Sequence, residues 1–159
     1  MGKGLKNRLS AVAVLVFATA TAALAVAPNY VSGLPGILEG YKPFEYFLNF
    51  SDLNIDLFTG HWDLTAYALG IVLAAVTAAL SVIAVFTGKE LGIKTVSVIS
   101  FLLILGYGVY QITMSGVIYQ ITLGDAVFKD LFGAVHNAYY IVLAGSFISG
   151  LYALCALKD

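Results

Sequence analysis

Four stretches of this chain contain no Asp, Glu, Lys or Arg: Leu9–Ala27, Leu64–Thr87, Thr95–Leu123 and Leu131–Leu157. Each is close to or longer than the ~20 residues a bilayer-spanning helix needs. All the charge of the chain falls between or beyond them. Hydrocarbon offers the backbone no hydrogen-bonding partner, so a spanning segment must satisfy its own amides, and a helix does so within one segment. The expected fold class is therefore all-α integral membrane: one domain, a four-transmembrane-helix bundle with spans 9–27, 64–87, 95–123 and 131–157. Composition agrees. Hydrophobic residues make up 60% and charged residues 11% of the 159, against roughly a quarter charged in a soluble domain. The mean hydropathy is +0.93.

Basic residues orient the ladder. Lys3, Lys6, Arg8, Lys89, Lys94 and Lys158 fall on one side of it. The other side has Lys42 and Lys129 against Glu39, Glu45, Asp52, Asp56, Asp63, Asp125 and Asp130. Cytoplasmic loops carry the excess of Lys and Arg, which places both termini in the cytoplasm and residues 28–63 and 124–130 outside. The first span also fits the outline of a cleavable signal peptide. It has a basic start, an apolar centre and Ala23-Leu24-Ala25 near its end.

In lipid, close backbone approach and side-chain hydrogen bonds hold helices together. Ala66, Gly70, Ala74 and Ala78 recur every fourth residue as a candidate packing stripe, with Ala75 and Ala79 beside it. Ala18/Ala22, Thr19/Ala23 and Thr21/Ala25 repeat the spacing in the first span, and Gly145/Ser149 and Ser146/Gly150 in the fourth. Such motifs serve a bundle within one chain or an interface between copies.

Gly106-Tyr107-Gly108 has the letters of a potassium filter, which needs a non-helical loop after a Thr-Val pair. Ile104 and Leu105 stand there instead, and Val109 follows, so an uninterrupted span is expected. That span carries a polar face of Tyr107, Gln111 and Ser115 at i, i+4 spacing. Interhelical hydrogen bonding is its plain role; lining a small pore is the alternative. The tetrad Tyr-Gln-Ile-Thr occurs at 110–113 and 119–122. Nine residues at ~100° put the two copies on opposite faces.

The loop at 28–63 is aromatic. Tyr41, Phe44, Tyr46, Phe47, Phe50, Phe58 and Trp62 are its candidate interaction residues, suited to protein contacts or to the bilayer interface. Leu53, Ile55 and Leu57 alternate with Asp52, Asn54 and Asp56, the pattern of a short half-buried strand. Asp52, Asn54, Asp56 and Asp63 also match the first, third, fifth and twelfth positions of a calcium loop. Leu57 occupies the sixth position, where the sharp turn needs glycine, so only a divergent calcium-like site fits. Asp63 is alternatively the N-cap of the second span. Asn49-Phe50-Ser51 is a glycosylation sequon.

His61 and His136 come from different loops and form no i, i+4 metal pair. Cys155, the single cysteine, allows no internal disulfide; a small buried thiol or an acylation site are its two readings. With no charge inside a span, the intramembrane acid–base pair of an enzyme or ion-coupled transporter is missing. The chain is read as a non-enzyme without cofactor, and its net charge of −1 gives no attraction for nucleic acid.

In layout the chain resembles the claudin-like tetraspan proteins: a short inner amino terminus, a large first external loop, the brief inner turn Thr87–Lys94, a long third helix and a small second loop. The family's loop resembles W…GLW followed by two cysteines, whereas this loop has one tryptophan, Trp62, and no cysteine. The expected function is a structural or accessory membrane subunit that uses residues 28–63 for assembly. Its expected partners are the lipid bilayer and other membrane subunits or a second copy. A small oligomeric channel lined by the third span is the alternative.

Overall fold

The computed structural model describes residues 3–26, 62–114 and 137–157. They form four α-helices: α1 Lys3–Val26, α2 Trp62–Thr87, α3 Ile93–Met114 and α4 Asn137–Ala156. No strand occurs among the described residues. All four helices are long and apolar enough to cross a membrane, the layout of a multi-pass membrane protein. The loop expected to carry strands, the calcium-like Asp52, Asn54 and Asp56, and the aromatic residues Tyr41 to Phe58 lie outside the described residues.

The first three helices start ahead of their uncharged windows, while the described part of α4 starts at Asn137. α1 starts at Lys3 and α3 at Ile93, ahead of Leu9 and Thr95. α2 takes in Trp62 and Asp63 ahead of Leu64. Backbone hydrogen bonding does not stop at the first charge; long basic side chains reach out to water while their helix continues. α3 passes through Gly106-Tyr107-Gly108 without a break, which leaves no loop for a filter.

The helices pack as a square. Among the described residues α1 touches α2 and α4, and α3 touches the same two. The buried faces explain this arrangement. In α1 they are Asn7, Ala11, Val14, Ala18, Thr21 and Ala25; in α2, Tyr67, Ile71, Ala74, Thr77, Ser81 and Ala84. α4 buries Tyr139, Val142, Ser146, Ser149, Ala153 and Leu157. Steps of three and four residues are mixed along these seams, in strict alternation along α1, as in helices that cross at a shallow angle.

That mixing of steps changes the packing stripe of α2. Gly70 and Ala74 are buried, whereas Ala66 and Ala78 are half-buried and Ala75 and Ala79 exposed. A step of four advances a helix by about 40° beyond a full turn, so a strict four-residue row walks off the contact face. Polar Thr77 and Ser81 take the places that Ala78 and its neighbours were expected to fill. The same holds in α1, where Thr21 and Ala25 are buried but Thr19 and Ala23 are exposed.

The turn between α2 and α3 is tightly specified. Gly88 (φ 73°), Leu91 (φ 59°) and Gly92 (φ 79°) are left-handed, and the Gly88 amide donates to the Ala84 carbonyl at 2.7 Å, ending α2. Glu90 then starts α3: its two carboxylate oxygens accept from the amides of Gly92 (2.9 Å) and Lys94 (2.8 Å). A carboxylate at that end satisfies orphan amides and the helix dipole together. A Cβ on Gly92 would meet nothing within 4 Å, so Gly92→Ala isolates the left-handed backbone cost. It is expected to lower stability by about 1 kcal/mol, and Gly92→Asn by less, in thermal melts followed by circular dichroism in detergent.

Candidate functional site

The interior divides into three zones along the bundle axis. At one end Tyr67, Ile71, Ile104, Tyr139, Val142 and Ala25 form an apolar cluster. At the other, Ala11, Val14, Ala84, Ile93, Ala153 and Leu157 form a second. Between them the buried positions are mostly hydroxyls: Thr21, Thr77, Ser81, Ser97, Ser100, Ser146 and Ser149. No charged residue is buried among the described side chains.

A buried hydroxyl is costly in lipid unless it is bonded. Six of these donate within their own helix, to the carbonyl three or four residues back. Thr21 donates to Phe17 (2.7 Å), Thr77 to Leu73 (2.8 Å) and Ser81 to Thr77 (2.7 Å). Ser97 donates to Lys94 (3.1 Å), Ser146 to Leu143 (2.8 Å) and Ser149 to Ser146 (3.1 Å). Ser100 differs. Its hydroxyl crosses from α3 to the Gly70 carbonyl of α2 at 2.7 Å. The belt is thus a close-packing device, small side chains with their polarity turned back on the backbone.

Interhelical hydrogen bonds in membrane proteins average about 0.6 kcal/mol. Ser100→Ala is therefore expected to lower bundle stability by about that much, and Ser81→Ala by less than half as much. Unfolding by dodecyl sulfate titration, followed by circular dichroism, measures both.

Tyrosines close the first end. Tyr67 and Tyr107 stack at 4.5 Å between ring centroids with 13° between planes. Tyr139 meets Tyr67 edge-on at 5.9 Å and Tyr107 at 5.6 Å. Its hydroxyl donates to the Ile104 carbonyl at 2.6 Å. Tyr140 packs against Tyr139 at 5.5 Å. Gly108 makes this possible, because a Cβ there would overlap the Tyr139 ring. Tyr67 and Tyr139 are fully buried and Tyr107 and Tyr140 half-buried, so the cluster forms a plug inside the bundle.

At the opposite end the amino terminus meets the α2–α3 turn. The Asn7 side-chain amide donates to the Gly88 carbonyl at 3.1 Å, supplying a donor to a carbonyl just past the end of α2. Arg8 lies against Gly88 as well. The exposed cations Lys6, Arg8 and Lys89 share this end of the bundle.

Of the polar face expected on the third span, Tyr107 belongs to the plug, Gln111 is half-buried, and Ser115 lies outside the described residues. Cys155 is exposed on α4, not buried as a small thiol would be by default. No cluster of metal-ligating side chains occurs among the described residues. Thr21, Ser146 and Ser149 stood in the expected packing pairs, whereas Tyr139, Asn7, Thr77, Ser81, Ser97 and Ser100 escaped the sequence reading. Their signal was the mixed three- and four-residue spacing of Ser, Thr, Ala and Tyr, which a fixed step of four does not pick out.

Comparison with protein-family models, with curated proteins and with solved structures finds no match in any of the three.

Proposed function

We propose that this chain is a non-catalytic multi-pass membrane subunit, a rigid four-helix anchor that presents residues 28–61 for assembly with another membrane protein or a second copy. Both termini and the 88–92 turn face the cytoplasm in this proposal. The packing of the axis supports it most. A plug of buried tyrosines, a belt of hydroxyls tied to backbone carbonyls and an apolar cluster follow one another down the bundle. That interior is built for packing, which leaves the aromatic residues of 28–61 to supply the contacts in this proposal. The Asn7–Gly88 hydrogen bond supports a shared side for the amino terminus and the α2–α3 turn.

The test is purification in mild detergent at native expression. A stoichiometric partner or a defined homo-oligomer is expected. Exchanging Tyr41, Phe44, Tyr46, Phe47, Phe50 and Phe58 for serine is expected to release it without changing helical content. A monomer alone, or a complex indifferent to the exchange, would contradict the proposal. Planar bilayers holding the protein are expected to stay silent; a selective conductance removed by Gln111→Leu would favour the channel instead.

A further inference from the structure

Where α1 begins, its backbone is drawn onto the α2–α3 turn. A Cβ on Gly88 would lie 3.1 Å from the Gly4 carbonyl oxygen, 3.2 Å from Gly4 Cα and 3.3 Å from Arg8 Nε. Beside this contact the Asn7 side-chain amide holds the Gly88 carbonyl at 3.1 Å. The Arg8 guanidinium therefore lies against Gly88, and Lys89 follows one Cα step of ~3.8 Å along the chain. Both cations are exposed. Packing of the backbone has brought two like charges together.

Glu90, next in the turn, directs its two carboxylate oxygens to the amides of Gly92 and Lys94. Neither Arg8 nor Lys89 has an ion pair among the described residues. The outer side of α1 is apolar around Arg8. Leu5 and Val12, three residues before it and four after, are exposed, and Val16 continues the row. Lys6 lies elsewhere. It stands about 200° from Arg8 around the helix, on the other flank of buried Asn7.

We infer that Arg8 and Lys89 together hold the phosphate of an anionic phospholipid, one of whose acyl chains lies along Val12 and Val16. Phosphate oxygens match the guanidinium fork, and an anion shared by two cations relieves their mutual repulsion. Basic pockets between spanning helices bind anionic headgroups in this way. The apolar row favours a lipid over a free anion, since one continuous surface then meets both tail and headgroup. Tails gain only packing on leaving bulk lipid, so the cations set the preference. The choline of a zwitterionic lipid would add a third positive charge to the pair. The inference requires membrane insertion but neither the loop's partner nor an orientation, so failure of the subunit test leaves it standing.

Native mass spectrometry of the full chain in mild detergent tests it, with dioleoyl phosphatidylglycerol and dioleoyl phosphatidylcholine as competing probes. Phosphatidylglycerol is expected to be retained on the order of 30-fold more strongly, the preference two cations near the surface confer. Arg8→Gln or Lys89→Gln is expected to reduce this to about fivefold, and the double variant to parity. Lys6→Gln is expected to keep the full preference. Should Arg8→Gln not fold, Lys89→Gln in the exposed turn decides alone. Equal retention by the parent protein, or a preference untouched by Lys89→Gln, would overturn the inference. An equal loss with Lys6→Gln would also overturn it, by showing a diffuse attraction to the whole basic end. So would displacement of phosphatidylglycerol by millimolar inorganic phosphate, which would make the pair a site for a soluble anion.

Discussion

Gly70→Leu is expected to be the most damaging single substitution in the bundle. Gly70 is a point of close approach between α2 and α3. Even a Cβ there would lie 2.9 Å from Ile104 Cγ1, 3.1 Å from the Ser100 carbonyl oxygen and 3.2 Å from the Ile104 amide. Two of those three atoms are backbone and cannot rotate away, so the helices must separate. Separation also stretches the Ser100–Gly70 hydrogen bond of 2.7 Å. Overpacking costs about 1–3 kcal/mol, and leucine should reach the top of that range with alanine nearer the bottom. Gly106→Ala is the control, since a Cβ at Gly106 meets nothing within 4 Å. It should be neutral, or stabilising by up to about 1 kcal/mol from helix propensity. Dodecyl sulfate unfolding midpoints rank the three; equal effects for Gly70→Ala and Gly106→Ala would refute the close approach.

The second large effect belongs to Gly108 and Tyr139. Gly108→Ala places a methyl where the Tyr139 ring lies. The ring must leave, and with it go the bond to Ile104 and the contacts with Tyr67 and Tyr107. A loss of about 2–3 kcal/mol is expected from overpacking and lost ring contacts. Tyr139→Phe removes only the hydrogen bond and should cost about 1 kcal/mol. Because the ring carbons remain, Gly108→Ala should stay costly in the Tyr139→Phe background. In a Tyr139→Ala background it should cost little, and that non-additivity identifies the contact. Additive costs throughout would show that the two residues do not touch.

Much of this architecture was legible in the sequence because exclusion of charge is a strong, local signal. Four uncharged windows correspond to four helices, and the absence of a Thr-Val pair before Gly106 anticipated a continuous α3. Which face of each helix turns inward was harder to read. Lipid tolerates leucine and alanine as readily as the core does, so hydrophobicity marks no face in such a bundle. Exposed Leu69, Val72 and Phe86 in α2 are as apolar as its buried Ile71. Small and hydroxylated residues carry the signal instead, at steps of three and four. The strict row Ala66-Gly70-Ala74-Ala78 captured its middle and missed Thr77 and Ser81. Gly108 was noticed for a resemblance to a filter, whereas its use is to admit Tyr139, thirty-one residues away in sequence. Long-range fit of that kind leaves no local pattern.

Membrane insertion as a four-span ladder underlies every functional proposal made here. Cysteine accessibility tests it directly: with Cys155 replaced by alanine, single cysteines at Gly92 and at Phe50 are labelled in intact cells by a charged, impermeant thiol reagent. Labelling at Phe50 alone, with Gly92 reacting only after the membrane is opened, is the predicted result. Equal labelling at both sites in intact cells would contradict the ladder, and with it the assignment of the aromatic loop to the outer face.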